Sequence, residues 1–181
     1  MKVKLLLSAA VAAIAISGSA AAEPDGWYGA IDLGYHWQDV DFGNVGFPTM
    51  AHLDTDDSWA VFGRLGNRLN PSWRFEAEYG FRPGEVTRVG FTGDLDMHSL
   101  MGNVIYDFAP DAHVRPFLGA GIGLAMSDAQ FGNIGSYYDD TDTAFAWQAI
   151  AGLAWAAGDR TNVDITYRYF DGGEHEYPNS G

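Results

Sequence analysis

From residue 27 onward this chain is a succession of stretches in which apolar residues alternate with small or polar ones. Seven such stretches are readable, over 27–37, 58–68, 73–82, 96–108, 113–125, 143–156 and 162–170. The sharpest is 73–82, where Trp73, Phe75, Ala77, Tyr79 and Phe81 share one face and Arg74, Glu76, Glu78 and Arg82 the other. A period of two is the signature of a β-strand. A water-soluble sandwich would tolerate that pattern with its charged face outward. The stretches, however, are near the ~9–11 residues that cross a bilayer, and the connections between them run long, short, long, short, long, short. Only helices and closed barrels satisfy every backbone N–H and C=O inside hydrocarbon, and barrels carry short turns on one side and longer loops on the other. The chain is therefore predicted to be all-β, an antiparallel eight-stranded up-and-down transmembrane barrel.

Seven is an odd count, and an open edge in lipid leaves a row of unpaired backbone groups. The eighth strand is expected beyond Gly181, so that the barrel domain, 23–181, is incomplete at its C-terminus. Residues 1–22 read as a secretory signal: Lys2 and Lys4 form its charged start, Leu5 to Ile16 its apolar run, and Ala20-Ala21-Ala22 its cleavage site. Cleavage after Ala22 would leave eight arginines against 24 acidic residues, a formal charge of −16. That sign disfavours a nucleic-acid partner. The chain has no cysteine, which removes any disulfide framework.

Aromatic positions give the layout a separate test, because rings gather where membrane meets water. If 27–37 rises from the periplasm, Trp27, Trp73 and Trp155 fall at the lower rim. Trp37, Trp59 and Trp147 fall at or towards the upper one. The opposite parity places Asp32, Arg64, Arg74, Glu76, Glu78, Arg115, Asp164 and Arg168 in the lumen, four charges of each sign. Unpaired charges there would cost several kcal/mol each, so they are expected to neutralise one another in a network that fills the barrel. Which partners pair depends on strand stagger, which sequence does not determine.

Other residue groups carry less. Asp54, Asp56 and Asp57, with Asp139, Asp140 and Asp142, could attract divalent cations but lack the glycine and distal glutamate of a calcium loop, and are expected to be solvated loop residues. His36, His52, His113 and His175 lack metal-ligand spacing. His98 and Ser99, beside Asp96, invite a hydrolase reading, but adjacent strand residues point to opposite faces. No enzyme activity, cofactor or metal is expected.

Three segments carry a family resemblance: Trp27-Tyr28-Gly29, Arg74-Phe75-Glu76-Ala77-Glu78-Tyr79, and Arg115-Pro116-Phe117-Leu118-Gly119-Ala120-Gly121-Ile122-Gly123. With them the chain resembles the OmpA-like outer-membrane β-barrel superfamily over nearly all of 23–181. The resemblance implies a Gram-negative outer-membrane location among lipid and lipopolysaccharide, and a structural, anchoring role. It also implies a periplasmic module, beyond these residues, that grips peptidoglycan. Lumen ion pairs in that superfamily exchange partners to let small solutes pass slowly. Glu76 looks like its third-strand glutamate, whereas Asn103 stands where a lysine is expected and Asp164 where an arginine is. The alternative is a stand-alone surface barrel acting as an adhesin through its outer loops, as in the opacity-adhesin relatives.

Overall fold

A computed structural model describes residues 2–19, 26–42, 58–88, 91–133, 136–158 and 161–178. It contains nine strands: β1 (Lys2–Ser19), β2 (Trp27–Phe42), β3 (Ser58–Arg68), β4 (Trp73–Arg82), β5 (Glu85–Arg88), β6 (Phe91–Asp107), β7 (Val114–Asn133), β8 (Ser136–Gly158) and β9 (Thr161–Pro178). All pairings are antiparallel, and the pairing of β4 with β6 closes the sheet into a ring of eight. The short β5 pairs only with β6 and lengthens that hairpin at the upper rim.

The burial pattern is the reverse of a soluble protein's. Ile31, Leu33, Ile122 and Phe145 point outward with more than 60% of their surface bare, while Asp32, Glu78, Arg74 and Arg168 inside are nearly inaccessible. Apolar outside and charged inside is stable only where hydrocarbon surrounds the molecule, which makes this a transmembrane barrel. Narrowness is built in by glycine. A Cβ at Gly66 would fall on the Tyr28 ring, one at Gly121 on the Asn103 amide, and one at Gly152 on Phe117. Below, the short connection between β3 and β4 is held by the Asn70 Oδ1, which accepts from the backbone N–H groups of Ser72 and Trp73, both at 3.0 Å.

The seven predicted strands are all present, and five are longer than alternation suggested. Within 126–142, expected as a loop, β7 and β8 continue over 126–133 and 136–142, paired without a break from Met126↔Thr143 to Asn133↔Ser136. The Gly, Ser and Asp content there reads as loop, yet strands that have left the membrane need no apolar face. The eighth position differs too. It is held by β1, which pairs with β2 from Leu5↔Phe42 to Ser19↔Tyr28 and with β9 from Lys2↔Pro178 to Gly18↔Thr161. An unbroken apolar run carries no alternation by which to recognise a strand.

Candidate functional site: the barrel lumen

Inward parity on β2, β3, β4, β6, β8 and β9 delivers a column of polar side chains to the axis. At its base Asp107 receives Arg74 Nη2 at 3.0 Å and Arg68 Nη1 at 3.0 Å. Above it, Arg64 is the hub. Its Nε and Nη2 donate to Asp32 Oδ1 at 3.0 and 2.8 Å, its Nη1 to Glu76 Oε1 at 3.1 Å, and its Nη2 also to Asp164 Oδ2 at 3.3 Å. Arg74 Nη1 and the Tyr28 hydroxyl also donate to Glu76. The second oxygen of Asp32 takes Arg168, which reaches Glu78 Oε2 at 3.2 Å. Gln148 Nε2 then joins Glu78 at 3.0 Å to Asn103 at 2.8 Å. These contacts link into one chain that crosses the lumen, charge-assisted at every step but the last, between the amides of Gln148 and Asn103.

The top of the column is different in kind. Arg82 is buried without a carboxylate in salt-bridge reach among the described residues; it donates to Ser99 Oγ at 3.0 Å and lies between the rings of Phe62 and Phe170, 4.9 and 4.2 Å from their centroids. Arg168 shares the Phe62 ring at 4.6 Å. Stacking on two aromatic faces stabilises the guanidinium where no carboxylate does.

Of the eight charges assigned to the lumen from sequence, seven meet there. Arg115 does not. It is the second residue of β7, below the plug, and its Nη2 donates to Asn162 instead. The lumen residues outside that set of eight are Tyr28, Arg68, Arg82, Asn103, Asp107 and Gln148; parity put each inside, but only contact across strands shows what it does. Where the superfamily resemblance expected a lysine, Asn103 serves Gln148, and where it expected an arginine, Asp164 accepts from Arg64. Arg168, four residues on, supplies a cation above.

The six tryptophans point outward. Trp73 packs edge-on against Tyr106 at 4.9 Å near the lower rim, with Trp27 and Trp155 at the same level, and Trp59 packs on Phe81 at 5.8 Å and Trp147 on Tyr169 at 5.5 Å towards the upper rim. Trp37 completes the upper set against Tyr35 at 5.4 Å. His98 is outward, its Nδ1 2.7 Å from the Tyr79 hydroxyl, while Ser99 faces Arg82 in the lumen. The two therefore cannot form a nucleophile–base pair. No group of three or more potential metal ligands occurs among the described residues. Asp54, Asp56, Asp57 and His52 lie outside those residues, as do the side chains of Asp139, Asp140 and His175.

Tyr28→Phe isolates one link of the column. Removing its hydroxyl from a carboxylate that keeps two arginines is expected to cost about 1–2 kcal/mol, read as a lower urea midpoint for the folded barrel in detergent.

An eight-stranded barrel with lipid-facing hydrocarbon, two aromatic girdles and a charge-filled interior defines a small outer-membrane protein. Comparison with known proteins places it within that class: a model of the outer membrane protein beta-barrel domain matches residues 6–180, and the chain belongs to that family of the bacterial outer membrane. It is 29% identical over 97 residues, 50% of its own length, to outer membrane protein PagN of Salmonella typhimurium, and that match covers only 41% of PagN. Among solved structures it is similar to Neisserial surface protein A (NspA), at 14% identity and a TM-score of 0.46 over 92% of this chain and 95% of that one. It is also similar to Ail, the attachment invasion locus protein of Yersinia pestis, in complex with the heparin analogue sucrose octasulfate, at 15% identity and a TM-score of 0.43 over 97% of this chain and all of that one.

Proposed function

We propose that the chain is a structural, non-enzymatic barrel that anchors itself in the outer membrane with its lumen closed, and that small solutes pass only when the plug rearranges. The observation that carries this reading is the continuous buried chain of ion pairs from Asp107 to Glu78, which fills the lumen below Arg82 with mutually neutralised side chains. The two girdles hold the barrel at the headgroup level, the upper one facing lipopolysaccharide. A peptidoglycan grip belongs, in the resemblance, to a module outside the barrel. Export directed by a cleaved segment 1–22 is part of the same proposal, in which another strand takes the place of β1 between β2 and β9; the mass of the protein extracted from membranes checks the cleavage.

Planar-bilayer recording tests the closed lumen. The unaltered protein should show rare, brief openings, and Asp32→Asn, which loosens both Arg64 and Arg168, should open it more often. Each ~1.4 kcal/mol lost from the closed plug raises the open-to-closed ratio about tenfold. Steady conductance in the unaltered protein would sink the proposal.

A second reading, a surface barrel that attaches to a partner through its outer segments, draws on a separate observation. The 20 residues of β7 and 23 of β8 exceed what a bilayer crossing requires.

A further inference from the structure

Strand β1 differs from the other members of the ring. Its inward residues Val11, Ala13 and Ala15 are fully buried and small, and it brings no charge to the lumen between Leu5 and Ser19. The register sets Ala15 between Asp32 on β2 and Asp164 on β9, and Val11 between His36 and Arg168. The ion pairs that join β9 to β2 and β3 therefore pass over β1 without using it. Arg168 of β9 reaches Asp32 of β2, and Arg64 of β3 reaches Asp164 of β9 at 3.3 Å. A guanidinium that bonds Asp32 and Asp164 together sits over Ala15, in the volume any longer side chain there would fill. On the sheet itself, Gly34 makes room for β1: a Cβ at Gly34 would stand 2.9 Å from the Ala13 Cβ and 2.9 Å from the Ala12 carbonyl oxygen.

The lumen network thus ties the two flanking strands to each other across β1, through side chains that β1 does not supply. Direction is constrained as well. An antiparallel partner of both β2 and β9 must run from the rim of the long connections to the rim of the short turns, and β1 does so. These same residues carry the export-signal pattern. Cleavage after Ala22 would take the strand away, and another segment would then have to pair with β2 and β9 in lipid.

We propose that the seam between β2 and β9 is a strand-acceptor site. Its ligand is an extended apolar segment running from the upper to the lower rim, with alanine-sized residues inward opposite Asp32 and Asp164. Residues 2–19 are one occupant of that site and are exchangeable for another of the same pattern. The inference rests on the export reading only for the natural removal of 1–22; the experiment severs the chain by design, so the two can fail separately.

The full chain is prepared with residues 20–25 replaced by a protease recognition sequence, folded in detergent and cut, and a fluorescent peptide of residues 2–19 is added in excess. The label should migrate with the folded band on unheated gels. A peptide carrying Ala15→Arg should enter about tenfold less, while one carrying the outward substitution Ala12→Leu should enter as well as the parent. If the cut barrel falls apart, refolding it from urea with each peptide gives the same readout. Recovery by the parent and Ala12→Leu peptides but not by Ala15→Arg supports the site. Equal uptake of all three, no uptake of the parent peptide, or full refolding without any peptide would each overturn it.

Discussion

Arg64→Met should destabilise the barrel by about 3–5 kcal/mol, because it strips the shared cation from three buried carboxylates at once. Asp32 would keep Arg168, and Glu76 would keep Arg74 and Tyr28, but Asp164 would lose its only ion-pair partner among the described residues. The urea midpoint of the folded band in detergent reads the effect. Arg64→Lys should fall between, since an ammonium restores the charge but cannot fork to Asp32 and Glu76 together. A loss under ~1 kcal/mol for the methionine variant would mean that the column is a set of independent pairs rather than a hub with dependants.

Gly123→Val should prevent folding altogether, at a cost of at least about 3 kcal/mol. A Cβ there would collide with the backbone carbonyl oxygen of Leu100 and stand 2.8 Å from the Met101 Cα, so the obstacle is the neighbouring strand itself rather than a side chain that can turn away. The control is Gly63→Ala. Gly63 has nothing within 4 Å of its would-be Cβ, and the substitution should stay within ~0.5 kcal/mol of the parent. Heat-modifiable migration reports both; folded Gly123→Val would show that β6 and β7 can separate without cost.

The contrast between these two glycines marks how far the sequence could be read. Both lie in alternating stretches, and parity alone tells that Gly63 faces lipid and Gly123 the lumen. Parity is a local property with a period of two, so it placed Asp32, Arg64, Glu76, Glu78, Asp164 and Arg168 inside without any knowledge of their partners. Partner choice is set by the stagger of the strands around the ring, a non-local quantity that no single stretch encodes. Arg115 shows the cost. It has the right parity but sits too low on β7 to reach the acids, and pairs with Asn162. The resemblance of Glu76 to a family position was informative, yet the rearranged neighbours Asn103 and Asp164 mean that its partners had to be seen. The extent of β7 and β8 was missed for another reason: outside the membrane the solvent no longer enforces an apolar face, so a true strand and a polar loop have the same composition.

That overhang changes what the outer side of the molecule can be. From Met126 to Asn133 the hairpin adds eight residues per strand, roughly 25 Å along the strand at ~3.3 Å each, with every cross-strand partner in place. A segment built this way is a mast, not a tether. Whatever meets these paired strands encounters a backbone whose orientation is set by the barrel in the membrane, and a pull on them would be carried down the ladder to the strands in lipid.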